Sequence, residues 1–170
     1  TLCLFSKLIH HFRSHYTMWK PGIIFKDVTP ILKEPLAFRE AIRRLTSYYQ
    51  DWDIDLIAGI DARGFLIAAP MGLLMSKPIV PVRKEGKLPY KTHRVTYELE
   101  YGVDTIEIHE DAIDHGNRVL IVDDLLATGG TMSAAAKLVE EQVGGHVVGL
   151  AVFAELTDLH GRDRLQKYPL

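Results

Sequence analysis

The stretch VLIVDDLLATGGT, residues 119–131, indicates how this chain folds, because it joins an apolar run to a small-residue turn rich in glycine. The run VLIV is short and continuously apolar, as is typical of a strand buried on both faces. The segment that follows, TMSAAAKLVEEQ from Thr131, places its apolar residues on one side of a helix. Residues 119–142 are therefore predicted to form a strand, a turn and a helix, the repeating unit of an α/β sheet.

The turn ATGGT is suited to bind a phosphate group. The first N–H groups of a helix have no partner within the helix, and the helix dipole favours an anion at that end. Gly129 and Gly130 let the backbone approach a phosphate closely, while Thr128 and Thr131 add hydroxyl donors. The chain has no G-x-x-x-x-G-K-[ST] motif and no G-x-G-x-x-G after a strand, which disfavours a P-loop or a dinucleotide site.

Asp123 and Asp124 stand at the mouth of this turn. Two carboxylates repel a phosphate, but they accept hydrogen bonds from hydroxyl groups such as those of a ribose. The alternative is a pair of aspartates that caps the helix, followed by an ordinary turn. The joint pattern of strand, aspartate pair and glycine turn favours a site for a ribose 5-phosphate.

Short apolar runs alternate with helical patterns along the rest of the chain. The strand candidates are DLIAGI (55–60), PIVPV (78–82), VLIV (119–122) and VVGLAVF (147–153). Strands that alternate with helices predict an α/β fold with a doubly wound, mostly parallel sheet flanked by helices. Ligands of such sheets bind beyond the carboxyl ends of the strands, where the aspartate pair is expected. Neither a repeat nor a linker interrupts the pattern, so residues 1–170 are expected to form a single domain.

Composition excludes several classes of protein. A formal net charge of -2 and a pI of about 6.4 argue against a nucleic-acid partner. A single cysteine, Cys3, excludes an intrachain disulfide and suits a reducing compartment, so a cytoplasmic location is expected. The sequence contains no apolar run of membrane-spanning length, and we expect no membrane partner.

The N-terminal segment, residues 1–32, carries apolar residues at helical spacing: Leu2, Phe5, Leu8, Ile9, Phe12 and Tyr16. This spacing predicts a helix docked on the domain. The alternative is an organelle transit peptide, because the segment is basic and its first acidic residue is Asp27.

Residues 83–104, which we call the lid, begin with a cluster of basic side chains: Arg83, Lys84, Lys87, Lys91 and Arg94. Within that cluster only Glu85 opposes them. Such a stretch is often a solvated mobile loop. It would also suit a segment that closes over an anionic leaving group and excludes water.

Several blocks together resemble the adenine phosphoribosyltransferases, which are type I phosphoribosyltransferases. VLIVDDLLATGGT is similar to the signature that binds phosphoribosyl diphosphate (PRPP) in the type I enzymes. The other blocks are PGIIFKDVTPIL (21–32), GIDARGFL (59–66), RKEGKLP (83–89), LEYG (99–102) and AELTDLHGRDRL (154–165). The resemblance implies a Mg²⁺-assisted transfer from PRPP to adenine that yields AMP and pyrophosphate, a homodimer, and a closing lid.

The resemblance also implies a role for individual residues. Asp123 and Asp124 would hold the ribose hydroxyls, and Ala127, Thr128, Gly129, Gly130 and Thr131 the 5-phosphate. Pyrophosphate would be bound by Arg63, Arg83, Lys84 and Lys87. Adenine would lie against Ile24, Phe25, Lys26, Leu125 and Leu156, and for Phe25 the alternative is burial in the core. No protein ligand is implied for Mg²⁺, which PRPP would carry, and a non-proline cis peptide is implied in the turn at Arg63.

Glu100 is the candidate for proton transfer, because adenine must lose the proton of N9 as it attacks. The resemblance selects it over Glu98, which would point to the same side of an extended strand. A surface glutamate is the alternative reading. The alternative functions are a PRPP- or nucleotide-sensing regulator of the same fold, and a phosphoribosyltransferase for another purine.

Overall fold

The apolar runs form a sheet with helices on both faces, in a computed structural model that describes residues 13–16, 24–98 and 102–170. The strands are β1 (Arg13–Tyr16), β2 (Ile24–Asp27), β3 (Leu56–Ile60), β4 (Ile79–Lys84), β5 (Thr92–Glu98), β6 (Val103–His109), β7 (Arg118–Leu126) and β8 (His146–Glu155). The helices are α1 (Thr29–Lys33), α2 (Pro35–Tyr49), α3 (Arg63–Met75) and α4 (Gly130–Lys137). A π-helical turn, Leu138–Gln142, extends α4, and two short 3-10 turns, Thr157–Leu159 and Gly161–Arg164, follow β8. Within the described ranges, no helix has the length and apolar character needed to cross a membrane.

The main sheet has six strands in the order β5-β6-β4-β3-β7-β8. Strands β4, β3, β7 and β8 are parallel to their neighbours in that group and overlap the four predicted runs. Strands β6 and β5 extend the sheet in antiparallel fashion beyond β4. Every residue of β3 is buried, as expected of a central strand covered on both faces. The predicted doubly wound, mostly parallel α/β sheet is confirmed.

Two hydrophobic cores lie on opposite faces of this sheet. On one face α2 and α3 bury Leu45, Ile67 and Met71. On the other face α4 presents Met132 and a run of alanines, and these small side chains let the helix lie close to the sheet. Each large aliphatic side chain that is fully buried contributes about 1.5–3 kcal/mol. The two cores pack on β3 and β7 from both sides. They therefore fix the positions from which the loops at the carboxyl ends of these strands begin.

Strand β7 is longer than predicted. The apolar run ends at Val122, but the strand continues to Leu126 because β8 pairs with it as far as Leu126 and Glu155. On its other side β3 pairs with β7 only up to Gly59 and Val122. Asp123 and Asp124 therefore lie within the strand, at the point where β3 ends and one edge of β7 is open.

The predicted N-terminal helix is wrong over residues 13–16. These residues form β1, which pairs antiparallel with β2, Ser14 opposite Lys26 and Tyr16 opposite Ile24. Strand pairing supplies backbone hydrogen bonds that apolar spacing alone does not reveal, so a tertiary partner overrides the helical pattern. The other residues that carried the prediction, Leu2 to Phe12, lie outside the described residues.

The lid is more regular than the predicted loop. Its middle is β5, which pairs with β6 from Thr92–His109 to Glu98–Val103, and residues 85–91 form an irregular turn before it. We call residues 85–91 the lid turn. The mobility of the lid stays a prediction.

Candidate active site

The site is built where β3 ends and α3 begins. Gly64, in the first turn of α3, packs so closely on β7 that a Cβ there would lie 2.7 Å from the carbonyl oxygen of Val122. This close approach brings the start of α3 against the open edge of β7 and places Arg63 beside the aspartate pair. The cis peptide that the resemblance implies in this turn is present between Asp61 and Ala62.

Arg63 and Asp124 form an ion pair through Nε and Oδ2. Asp124 is buried, whereas Arg63 is about half exposed. The hydrogen bond to Asp124 raises the pKa of Arg63, and the nearby charges of Asp123 and Asp27 act in the same direction. A residue predicted to bind pyrophosphate, Arg63, thus directly contacts a residue predicted to bind the ribose, Asp124.

Asp123 lies in a different environment from its neighbour. Its Oδ1 accepts the main-chain N–H of Asp124 at 2.8 Å. Burial raises the pKa of Asp123 well above its usual range, and the adjacent charge of Asp124 adds to the effect. A carboxylate held in this way gains from hydroxyl donors, because they stabilise its charged form.

The predicted phosphate turn, 127–131, leads directly into α4. Gly129 is buried and adopts a left-handed conformation with φ of 78°, which a side chain disfavours. It also meets Gly161 of the last 3-10 turn, since a Cβ built on Gly129 would lie 2.5 Å from the carbonyl oxygen of Gly161. A Cβ on Gly161 would lie 2.2 Å from the carbonyl oxygen of Ala127. We call this close approach of Gly129 and Gly161 the glycine contact. It places the phosphate turn against the 3-10 turn Gly161–Arg164.

A chain of polar contacts joins the lid to the phosphate turn. The hydroxyl of Tyr97 lies 3.2 Å from Oγ1 of Thr131 and 3.5 Å from a carboxylate oxygen of Asp104. Asp104 in turn pairs with Lys84 at 3.0 Å, and this contact raises the pKa of Lys84. Burial is the main cause of the raised pKa of Tyr97. Lys84 is therefore connected to the predicted 5-phosphate site through two side chains.

Arg83 connects the lid to the turn between β3 and α3. Its Nε donates to Asp61 at 3.1 Å, and one terminal nitrogen donates to the carbonyl oxygen of Lys87, also at 3.1 Å. Arg63 and Arg83 thus both bind residues at the end of β3 or of the neighbouring strand β7. The side chain of Lys87 is exposed, and its main-chain N–H donates to Glu107 at 3.1 Å.

The predicted adenine ligands are only partly described. Ile24, Phe25 and Lys26 lie in β2. The last residue of this strand is Asp27, whose charge contributes to the raised pKa of Arg63. Leu125 is partly exposed near the end of β7, and the main-chain N–H of Leu156 donates to the carbonyl of Leu126 at 2.8 Å. Leu125 and Leu156 therefore lie at the carboxyl ends of neighbouring strands. Contact of any of these residues with adenine stays a prediction.

Two further expectations concern the chemistry of the site. Glu100 lies outside the described residues, so its role stays a prediction. Across the residues that the structure describes, no three side chains of His, Cys, Asp or Glu gather as a metal site would require.

Comparison with known proteins decides the family. Residues 27–170 match the family described as Phosphoribosyl transferase domain. The adenine phosphoribosyltransferase of Halothermothrix orenii is 52% identical over 149 residues, which cover 88% of this chain and 87% of that protein. This chain belongs to the adenine phosphoribosyltransferase family.

Solved structures of the family share its fold. The adenine phosphoribosyltransferase of Thermoanaerobacter pseudethanolicus superposes with a TM-score of 0.92 at 47% identity, covering 97% of this chain and 95% of its own. The enzyme of Saccharomyces cerevisiae, complexed with D-2,5-dideoxy-2,5-imino-altritol 1,6-bisphosphate and adenine, has a TM-score of 0.89 at 36% identity, with coverage of 99% and 97%.

Some residues of the site were missed by the sequence analysis of this family member. Tyr97, Asp104 and Gly161 are within or beside the blocks that carry the resemblance, yet none was assigned a role. Their places in the site depend on contacts between separate segments, such as that of Tyr97 with Thr131, which are 34 residues apart. The sequence did contain one indication for Gly161. It is a glycine between two polar residues, His160 and Arg162, and it does not form one of the dipeptides typical of a turn.

Proposed function

We propose that the protein transfers the 5-phosphoribosyl group of PRPP to adenine. The bond between C1 of the ribose and N9 of adenine forms, the bond from C1 to the diphosphate oxygen breaks, and the N9 proton leaves. AMP and pyrophosphate are the products. The observation that carries the proposal is the placement of Asp123 and Asp124 near the end of β7, shortly before a turn with buried glycines, with Arg63 across the open edge of β7.

The phosphate turn and the aspartate pair are proposed to hold the ribose 5-phosphate. Main-chain N–H groups at the start of α4 and the hydroxyl of Thr131 would bind the phosphate. Carboxylate oxygens of Asp123 and Asp124 would accept the ribose hydroxyls. Positive charge develops on the ribose ring as the diphosphate leaves, and two fixed carboxylates below the ring stabilise that charge.

Arg63, Arg83, Lys84 and Lys87 are proposed to bind the diphosphate. In the structure the first three are paired with Asp124, Asp61 and Asp104. A diphosphate offers more negative charge than a single carboxylate, so it competes for these cations. Mg²⁺ is proposed to enter on the diphosphate, because it prefers phosphate oxygens and water to an all-protein site, and there it would neutralise charge on the leaving group.

The adenine side of the site is proposed from the family resemblance. Backbone groups at Ile24 and Lys26 would read the edge of the base, with Phe25, Leu125 and Leu156 against the ring. A 6-amino purine donates a hydrogen bond where a 6-oxo purine accepts one, so a site built for adenine leaves groups unpaired with hypoxanthine. Glu100 is proposed to transfer the proton of the imidazole edge.

An assay of the purified protein with PRPP and four bases tests this function. We expect AMP formation from adenine to exceed the turnover of hypoxanthine, guanine and orotate by at least about a hundredfold in kcat/KM. Equal turnover of adenine and hypoxanthine would refute the substrate. PRPP binding without turnover of any base would instead indicate a regulator.

A homodimer is also proposed, on the strength of an apolar surface on α3. Leu66, Leu73 and Leu74 are 49%, 80% and 60% exposed, and large apolar side chains exposed on one helix are a feature of protein interfaces. Light scattering of wild-type protein and of Leu73→Glu tests it: a monomeric wild type at micromolar concentration contradicts the proposal, and a monomer only in the variant supports it.

We further propose a cytoplasmic location, based on the single cysteine, Cys3, among 170 residues. Fractionation of the source cells with an antibody to the protein measures it, and recovery of the protein in an organelle fraction would contradict it.

A further inference from the structure

Glu107 is a buried carboxylate that the proposed function does not use. It lies in β6 and is 3% exposed. Its register partners are Arg83 on β4 and Arg94 on β5. Residues directly opposite in antiparallel strands project from the same face, so an arginine flanks Glu107 on each side.

The oxygens of Glu107 are bound by the lid turn. Oε1 accepts the main-chain N–H groups of Lys87 and Leu88, both at 3.1 Å. Oε2 accepts the hydroxyl of Thr92, where the turn enters β5, at 3.2 Å. The two arginines donate elsewhere, Arg83 to Asp61 and Arg94 to Glu85. The carboxylate therefore fastens the middle of the lid turn, and the start of β5 that follows it, to β6, the strand between β5 and β4.

The peptide groups at Lys87 are held from both sides. Its N–H donates to Glu107, and its C=O accepts a hydrogen bond from Arg83 at 3.1 Å. Arg83 is itself tied to Asp61, two residues before Arg63. The direction of the Lys87 side chain is thus set by Glu107 on one side. On the other side it is set by Arg83, which is held by the turn between β3 and α3.

We propose that Glu107 is a positioning residue for diphosphate binding. It holds the lid turn in the conformation that presents Lys87 and Arg83 together to the diphosphate of PRPP. The inference rests on the proposed function, because it assumes that the lid cations meet the diphosphate. Glu107 acts through backbone hydrogen bonds and has no contact with the reacting atoms.

A charge effect and a positioning effect predict opposite results. If Glu107 acted only as a negative charge near the diphosphate, removal of that charge would tighten diphosphate binding. If it positions the turn, the acceptor geometry matters and the charge does not. Glu107→Gln keeps an oxygen for the two N–H groups, and its amide N–H₂ donates to the Thr92 hydroxyl. Glu107→Asp keeps the charge but withdraws the oxygens by one methylene.

The experiment compares Glu107→Ala, Glu107→Asp and Glu107→Gln with wild type in steady-state kinetics and in inhibition by two fragments, inorganic pyrophosphate and ribose 5-phosphate. In the alanine and aspartate variants we expect KM for PRPP and the pyrophosphate inhibition constant to rise about tenfold. KM for adenine and inhibition by ribose 5-phosphate should stay within about twofold of wild type. Glu107→Gln should remain within about threefold of wild type in every constant.

The control is Glu110→Ala, which removes an exposed carboxylate three residues further along the same segment and should change no constant by more than about twofold. If the alanine variant does not fold, the aspartate and glutamine variants carry the comparison. Equal weakening of pyrophosphate and ribose 5-phosphate would indicate a merely structural role and overturn the inference. Tighter pyrophosphate binding by Glu107→Gln would overturn it in favour of a charge effect. A wild-type protein that forms no AMP refutes the proposed function, and the inference with it, before any variant is measured.

Discussion

The phosphate turn and the lid are held in place by different kinds of contact. In the phosphate turn the glycine contact is steric, because a Cβ on Gly129 would lie 2.5 Å from a carbonyl oxygen of Gly161. The lid, besides the pairing of β5 with β6 and the hydrogen bonds to Glu107, has ion pairs whose cations are open to solvent: the side chains of Lys84 and Arg94 are both 59% exposed. Exposed ion pairs contribute about 0–1 kcal/mol each and exchange readily.

The difference matches the two tasks proposed for these segments. The 5-phosphate is not altered by the proposed reaction. A site that binds it therefore gains from a geometry that is fixed before the ligand arrives. A segment that must admit PRPP and release pyrophosphate gains from contacts that a diphosphate can replace. Substitutions in the turn should therefore act through shape, and those in the lid through individual functional groups.

The largest effect is expected from Glu100, the one lid residue assigned to chemistry. Glu100→Leu should lower kcat by about 10²- to 10⁴-fold and leave PRPP binding near normal, because proton transfer acts on the chemical step. Steady-state kinetics measure this, with Glu98→Leu as the matched control. A normal kcat for Glu100→Leu with an impaired Glu98→Leu would show that the wrong carboxylate was assigned.

Two glycines with nearly the same backbone conformation sharpen the comparison. Gly129 in the phosphate turn has φ of 78°, and Gly86 in the lid turn has φ of 77°. Left-handed conformation costs a side chain about 1–2 kcal/mol in either case. Only Gly129 also meets a carbonyl oxygen, whereas a Cβ on Gly86 has no described atom beyond its chain neighbours within 4 Å.

We therefore expect Gly129→Ala to lower kcat/KM for PRPP about a hundredfold and Gly86→Ala to lower it less than about fivefold. Kinetics with PRPP as the varied substrate, and melting curves of both variants, provide the measurement. Similar losses in both would mean that the lid turn is as tightly constrained as the phosphate turn.

The aspartate pair should show the next largest effect. Asp123→Asn and Asp124→Asn are each expected to lower kcat/KM by about ten- to a hundredfold, which corresponds to the loss of one charge-assisted hydrogen bond of about 1.5–3 kcal/mol. An amide accepts fewer hydroxyl bonds and does not balance positive charge on the ribose ring. Wild-type kinetics in both variants would remove these residues from the site.

The stability of the unliganded protein should respond in the opposite sense at Asp123. The raised pKa of Asp123 means that the folded state binds its proton more tightly than the unfolded chain, in which the pKa is about 3.9. The resulting stabilisation is complete below the unfolded pKa and is lost as the pH rises through the folded pKa. At pH 7 the charged form is therefore unfavourable, and Asp123→Asn should melt at a higher temperature than wild type.

That advantage should shrink as the pH falls toward 4, because the wild-type carboxyl then also becomes neutral. Differential scanning calorimetry across this range measures it, with the exposed Asp163→Asn as the control. A variant that melts below wild type at pH 7 would contradict the assignment of the raised pKa to an unfavourable buried charge.

The smallest effect is expected from the exposed pair of Glu85 and Arg94, whose atoms lie 2.6 Å apart. Glu85→Gln should change the free energy of unfolding by less than about 1 kcal/mol and KM for PRPP by less than about threefold. Urea unfolding and steady-state kinetics measure the two quantities. A loss comparable to that of Gly129→Ala would show that the lid depends on its ion pairs far more than their exposure indicates.

The parts of the fold that could be predicted from sequence are those whose information is local. The residues from Val119 to Gln142 form strand, turn and helix in direct succession, and the apolar period changes where the structure does. The true end of β7 at Leu126 was missed because it is set by pairing with β8, which no feature of residues 123–126 reveals. The strand at 13–16 was missed for the same reason, since its partner is β2.

The candidate site divides in the same way. Which residues are candidates for it was predicted from the aspartate pair, the glycine turn and the family blocks. How the residues contact one another was not, because Arg63 and Asp124 are 61 positions apart and only the geometry of α3 on β7 brings them together. Glu107 is an example. It lies between two isoleucines in β6, and no feature of the sequence distinguishes a buried glutamate that binds the lid turn from a solvated one.

The ion pair between Arg63 and Asp124 has a consequence for cooperativity. Inorganic pyrophosphate that takes Arg63 leaves the buried Asp124 without its partner, and ribose 5-phosphate that approaches Asp124 competes with Arg63. When both fragments are bound, the pair is separated only once, so the second fragment binds without that cost. In the proposed function, each fragment therefore increases the affinity of the protein for the other by the same factor. PRPP contains both fragments in one molecule and separates the pair in a single binding step.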